Sequence, residues 1–331
     1  MNEHVEVTTL GRGTIEVSRV CLGTWAIGGW MWGGTDVNQA VKTIRTAIDK
    51  GITFIDTAPV YGFGKSEKVV GEALKGYVNR SDIVLATKVG LDWKDGKVFR
   101  NSTPERIHNE IDDSLRRLQT DYIDLYQVHW PDPNVRFEET AEALAELVQK
   151  GKVRTVGVSN YSTSQMDSFM NKAIITSVQP PYNIFERDIE TDILPYAKEN
   201  SMSVLAYGSI SRGLLSGKMD KETKFEGDDL RQHDPKFKEP RFSQYLKAVS
   251  QLDKLAKENY GKTVLELAVR WVMDSGAIPL WGARHPDQLA DIENVFGWNI
   301  SDEDMLKIDE IVIECIKEPV GPEFMAPPAR K

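Results

Sequence analysis

The chain has 331 residues, 40% of them hydrophobic and 27% charged, the composition of an ordinary soluble globular protein. A formal net charge of −9, from 41 basic and 50 acidic residues, argues against nucleic acid or an anionic membrane as the main partner. Cys21 and Cys315 are too few for a disulfide framework, no apolar run approaches the roughly 20 residues of a membrane span, and the start MNEHVEVTTL lacks a signal-peptide core, so a cytoplasmic protein is expected.

Two short extended runs, 5–10 and 14–17, are split by Gly11-Arg12-Gly13 and read as a β-hairpin. Strand-like runs follow at 20–24, 52–56, 83–88, 122–129, 153–159, 177–179, 204–207 and 278–282. Helical patterns lie between them at 37–50 (apolar at Val41, Ile44, Ala47 and Ile48), 104–118, 138–150, 189–200 and 264–274. Eight strands, each followed by a helix, predict a closed (β/α)8 barrel, one domain over residues 1–331. The polar segment 208–240 interrupts the alternation, and long loops in compact domains are usually lids or binding loops. From Lys317 onward, Pro319, Pro322, Pro327 and Pro328 predict an irregular tail, draped or mobile.

Asp56, Tyr61, Lys88 and His129 stand at or just beyond the downstream ends of three apolar runs. In a parallel barrel such positions line the ligand crevice. A carboxylate, a phenol, an amine and an imidazole together suit protonation of an oxygen, and a lysine beside a phenol should lower its pKa from about 10. Carbonyl reduction is the matching chemistry. Each residue also has a plainer reading. Asp56 could cap the next helix, Lys88 and Asp56 could form a structural ion pair, and His129 could be a satisfied core residue. No spacing among His4, His108, His129, His233, His285 and the cysteines suggests zinc, so no metal is expected.

The other strand ends carry neutral polar groups. Ser159, Asn160 and Gln179 suit a carboxamide, and Tyr207 offers a face for a planar ring; the plainer reading of Ser159-Asn160 is an N-cap for the helix beginning near Ser162, a role for which Ser162 itself is a strong candidate. The loop Gly208-Ser209-Ile210-Ser211-Arg212-Gly213-Leu214-Leu215 could bring backbone amides to a diphosphate. No G-x-G-x-x-G follows any strand, which leaves a Rossmann reading without support. Late in the chain, Trp281-Gly282-Ala283-Arg284 precedes a helical pattern at 285–294, and this combination fits an anion, with an exposed surface arginine as the alternative.

The runs LGTWAIGG, DTAPVYGFGKSE, ATK, DYIDLYQVHW, GVSN, QPPYN and YGSISRGLLSGK, in that order, resemble an aldo-keto reductase. The resemblance spans essentially the whole chain and is nearest the bacterial branch containing the stress-related and inositol-operon-encoded reductases. It implies Tyr61 as general acid, Lys88 and Asp56 as its tuning pair, and His129 as the residue orienting a small-molecule carbonyl. It implies NADP(H) as cofactor, with Ser159, Asn160 and Gln179 on the carboxamide and Tyr207 stacked on the ring. Gly208 to Leu214, with Lys218, would cover the diphosphate. Gly282, Ala283, Arg284 and Gln288 would take the 2′-phosphate end, and Asp291 the adenine amine. Thr24 and Trp25 would line the nicotinamide site, and Arg231 would lie in the closing loop. Position 288 is Gln where many relatives carry a second basic group. Trp25, Trp30, Trp32, Trp93 and Trp130 are expected to crowd the mouth with aromatic surface. Three competing classes are a regulatory or redox-sensing subunit of the same family, a Schiff-base aldolase using Lys88, and a binding barrel without turnover.

Overall fold

A short strand buried on both faces satisfies its backbone only by pairing with a neighbour on each side, and eight such strands close on themselves. In the computed structural model, which describes residues 5–330, the strands are β1 (Val7–Thr9), β2 (Glu16–Ser18), β3 (Cys21–Gly23), β4 (Phe54–Asp56), β5 (Val84–Lys94), β6 (Lys97–Asn101), β7 (Ile123–Val128), β8 (Val153–Ser159), β9 (Ser177–Gln179), β10 (Ser203–Ala206) and β11 (Ile278–Gly282). His4 lies outside the described residues. β1 and β2 form the antiparallel hairpin. Strands β3, β4, β5, β7, β8, β9, β10 and β11 pair in parallel in that order, and β11 returns to β3. The fold is a (β/α)8 barrel.

The helices are α1 (Trp25–Gly28), α2 (Val37–Asp49), α3 (Lys65–Leu74), α4 (Pro104–Leu118), α5 (Phe137–Gln149), α6 (Thr163–Met170), α7 (Ile193–Glu199), α8 (Arg241–Tyr260), α9 (Val264–Asp274) and α10 (Asp302–Cys315). Their starts are written locally. Asp36 accepts from Gln39 N, Thr103 precedes Pro104 and accepts from Arg106 N, and Ser162/Gln165 and Thr263/Glu266 form capping boxes. At the end where the strands begin, Leu10 and Val17 of the hairpin region pack with Cys21, Phe54, Leu125 and Ile278 and close the barrel floor.

Three expectations need correction. β5 does not stop at Lys88: it continues to Lys94 and turns back antiparallel as β6. The turn is Asp95-Gly96, both at positive φ (50° and 74°), the two-residue chemistry that favours a tight hairpin. The pattern at 285–294 is not one helix but two 3-10 turns, Pro286–Leu289 and Ile292–Val295. There the Gln288 side chain accepts from the N–H groups of Arg284 and His285, and the backbone closes three-residue turns, Gln288 N donating to His285 O and Ala290 N to Asp287 O. The pattern at 189–200 splits into a 3-10 turn, Asp188–Glu190, and then α7, whose start is set by the Asp192 side chain accepting from Ile193 N. The long segment after β10 holds only 3-10 turns, yet Leu230, Asp234 and Lys236 within it are buried.

Candidate active site

Three neighbouring strands assemble the acid–base group. Asp56 ends β4 and pairs in register with Ala86 of β5, Lys88 sits two residues further along β5, and His129 is the first residue beyond β7. Lys88 Nζ donates to the Asp56 carboxylate, to Thr57 O at 3.0 Å and to Tyr61 Oη at 3.2 Å. Tyr61 arrives on a tight turn, its N–H donating to Ala58 O at 3.1 Å. Gly28 and Gly62 let α1 press on that turn: a Cβ at Gly28 would lie 2.5 Å from the Tyr61 carbonyl carbon. Trp25 stacks on the Tyr61 ring at 6.0 Å, and His129 meets it edge-on at 5.6 Å.

Burial decides the protonation of this group. It pushes the Tyr61 phenol above its ordinary value, outweighing the lowering by Lys88, and Asp56 pushes the same way. The expected fall in the Tyr61 pKa is therefore reversed, because an enclosed phenolate loses more hydration than one lysine replaces. Burial pulls the Lys88 ammonium down, but Asp56 and Tyr61 together hold it above the ordinary lysine value. Burial, and then the Lys88 charge, hold the His129 imidazole well below 6.5, so it is neutral at pH 7. At neutral pH the site is thus a protonated phenol and a neutral imidazole over a buried ammonium–carboxylate pair. Asp56 does not cap the next helix, since the N-cap of α3 is Gly64.

A cavity of about 570 Å³ opens above this group and extends toward Arg284. Thr24, Trp25, Tyr61, His129, Ser159, Asn160, Gln179 and Tyr207 line one end; Gly208, Ile210, Arg212, Gly213, Arg231, Gly282, Ala283, Arg284 and Gln288 continue it. Asn160, at φ 59°, donates through Nδ2 to His129 O and Ser159 Oγ, both at 3.0 Å, and accepts from Tyr207 Oη at 2.9 Å. Ser162, not Ser159 or Asn160, caps α6. Ser209 Oγ donates to Leu280 O and pins the loop to β11, while Leu214 is buried in the core. Arg212 is neutralised by Glu186 and Asp234 at 2.6 and 2.5 Å, and Arg231 by Asp229. Lys218 and Asp291 are exposed and stand outside the cavity wall. Among the described residues, no group of three His, Cys, Asp or Glu could hold a metal.

Residues 19–313 match the sequence family described as the aldo/keto reductase family. The chain belongs to that family. It is 58% identical to the aldo-keto reductase YhdN of Bacillus subtilis (strain 168) over 329 residues, 99% of each chain. The NADH-specific methylglyoxal reductase of Escherichia coli (strain K12) is 32% identical, over 91% of this chain and 97% of that one. Among solved structures, the glycerol dehydrogenase AKR11B4 from Gluconobacter oxydans superposes with a TM-score of 0.88 at 50% identity, covering 97% of this chain and 99% of that one. An aldo/keto reductase from Klebsiella pneumoniae in complex with NADP and acetate gives 0.72 at 29% identity, covering 93% and 96%.

This aldo/keto reductase is thus an oxidoreductase of carbonyl substrates that uses a nicotinamide cofactor, and its residues fit such a group. The hydroxyl and amide set beside Tyr61 matches a carboxamide. In the next stretch Ser211, Arg212 and Gly213 hold φ of 47°, 55° and 90°, a left-handed run in which the Ser211 and Gly213 N–H groups donate to Gly208 O and Ile210 O at 2.7 and 3.0 Å. The Ser211 hydroxyl there is buried with no protein partner. Two loops meet across the cleft: Met31 and Gly33 N–H donate to the Asp228 carboxylate at 2.8 and 2.9 Å, and Arg284 Nη1 donates to Trp32 O.

Sequence reasoning missed part of the wall. Trp25, Trp30, Trp32 and Trp130 line the mouth, whereas Trp93 packs behind it on Phe63 at 5.5 Å. Leu91 and Val98 come from the β5–β6 hairpin, which Asp95-Gly96 could have signalled. Phe324, Met325, Pro327 and Pro328 come from the tail, drawn over the mouth by Arg100 N donating to Pro328 O and Arg100 Nε to Pro327 O. No local pattern announces that contact.

Proposed function

We propose that this protein is an NADPH-dependent reductase of aldehydes or ketones in which Tyr61 is the general acid. The observation that carries the reading is the protonated Tyr61 phenol held 3.2 Å from Lys88 Nζ, at the floor of a cavity walled by Trp25, Trp30 and Trp130. When bound, the cofactor supplies a hydride to the carbonyl carbon. His129, neutral and edge-on to Tyr61, orients the carbonyl oxygen by hydrogen bonding. Tyr61 gives its proton to that oxygen as negative charge develops there, and Lys88 stabilises the phenolate left behind. Asp56 keeps Lys88 charged and fixed. The aromatic wall excludes water and favours apolar or aromatic carbonyls.

Arg284 supports NADPH over NADH, because its guanidinium lies at the cofactor end and a charge-assisted contact to a phosphate exceeds one to a ribose hydroxyl. Lys88 is a poor Schiff-base nucleophile, being fully buried, charged and bonded to Asp56, so borohydride with a carbonyl substrate should trap no adduct on it. Steady-state turnover with NADPH and a panel of aldehydes tests the whole reading. Tyr61→Phe should bind NADPH nearly as the parent does and lose about 10²–10⁴-fold in kcat. A phenylalanine variant with parental kcat removes Tyr61 from the mechanism, and a parent without turnover favours a regulatory or purely binding barrel.

A further inference from the structure

The turn that follows Tyr61 runs through three consecutive left-handed residues, Gly62, Phe63 and Gly64, at φ of 67°, 56° and 90°. Space accounts for the two glycines. A Cβ at Gly62 would collide with Gly28 O, and one at Gly64 would lie 2.9 Å from Arg117 Cδ. Phe63 is the exception, because a bulky residue at positive φ is strained where glycine is not. The turn itself does not ask for a phenylalanine. Its backbone closes through Phe63 N–H to Val60 O at 3.3 Å, Lys65 N–H to Gly62 O at 3.2 Å and Ser66 N–H to Tyr61 O at 3.1 Å. A glycine at position 63 can make every one of these bonds.

What the strained backbone holds in place is the ring. It stands between Trp30 at 4.9 Å and Trp93 at 5.5 Å, tilted by 45° and 51°, within the range where aromatic pairs attract beyond simple burial. Trp93 comes from β5 beyond the barrel rim, and the Arg106 guanidinium lies over its ring at 5.4 Å. Arg106 is fixed in turn by Glu110 and by Leu91 O at 3.3 Å. Four side chains thus form a ladder from α4 to the cavity. Trp30 is the rung that lines it; Phe63 and Trp93 stand behind.

We propose that Phe63 is a positioning residue that fixes the Trp30 ring as a wall for aromatic carbonyl substrates, with Trp93 acting on Trp30 through it. The inference rests on the reductase reading above and assigns part of its substrate preference to residues that do not line the cavity. A fixed ring meets an aromatic substrate in one geometry. A ring free to change rotamer gives up part of that contact to entropy. A short aliphatic aldehyde, held at Tyr61 and His129, makes little use of Trp30.

Steady-state kinetics with benzaldehyde and propanal at saturating NADPH test this, alongside NADPH titration by tryptophan fluorescence. Phe63→Gly removes the ring and suits the left-handed backbone, so the Tyr61 turn should remain. Its KM for benzaldehyde should rise about three- to tenfold, the scale of one aromatic pair. The KM for propanal, both kcat values and NADPH affinity should stay within about twofold of the parent's. Trp93→Leu should raise the benzaldehyde KM by a smaller factor. Once Phe63 is replaced, Trp93→Leu should add nothing, which a general loosening of the wall would not produce. A folded Phe63→Gly with the parental KM ratio overturns the proposal, as does one that loses kcat on both aldehydes. Additive effects of the two substitutions overturn the route through Phe63. Should Phe63→Gly fail to fold, Phe63→Leu, which keeps apolar bulk without a ring, carries the same expectations. A parent that turns over neither aldehyde overturns the reductase reading, and this proposal with it.

Discussion

The chemistry at Tyr61 depends on charges that balance only as a set. Asp56 and Lys88 are 1% and 0% exposed, so removing one partner strands the other in a confined space. Asp56→Asn should slow turnover and lower stability by about 3–5 kcal/mol, read as a drop in melting temperature. Unchanged rate and melting point would uncouple the two residues. At the far end of the cavity, Arg284 is placed by Trp32 O and Gly34 O rather than by a carboxylate, leaving its charge available to a phosphate. NADPH should therefore bind about ten- to a hundredfold more tightly than NADH. Arg284→Ala should remove most of that margin by weakening NADPH alone. Asp287 and Asp291 nearby push the other way, placing the preference at the low end of the range, and equal affinities in the parent would sink the assignment.

At the scale of elements, the segment after β10 is a strap anchored at both ends. Arg212, Asp234 and Lys236 within it are buried around Glu186, whereas Lys218, Lys221 and Lys224 are exposed on a stretch without regular structure. Asp228 further along reaches across to Met31 and Gly33. A dinucleotide lying beneath these contacts should stiffen them together. Trypsin should accordingly cut the free protein at residues 218–224, and saturating NADPH should suppress the cutting; equal cleavage in both states would count against a cofactor-covering role. The strap was legible as a long charged loop. Its buried ion pairs were not, because ion pairing across an interval such as Glu186 to Lys236 leaves no local pattern.

For the whole molecule, acid stability follows from enclosing a neutral histidine. His129 titrates well below 6.5 in the fold, so as pH falls through 6.5 the unfolded chain binds a proton that the folded one refuses. Stability should decline below that pH, by at most about 1.4 kcal/mol per pH unit from this group, until its lowered folded pKa is reached. His129→Asn should flatten the dependence of melting temperature on pH over this window; an unchanged profile would mean that His129 is not the proton acceptor. The alternation of β-branched runs with 3.6-period patterns, the capping signal at Ser162, and the Asp56, Tyr61, Lys88 and His129 positions were all readable in the chain. Each is a local consequence of strand and helix periodicity, with strand ends always delivered to one rim of a parallel barrel. Only the tertiary structure decided that Tyr61 titrates upward, that Arg212 is consumed by Glu186 and Asp234, and that the C-terminal tail lies on β6. These depend on burial depth and on pairs separated by tens to hundreds of residues, and such quantities exist only once the barrel has closed.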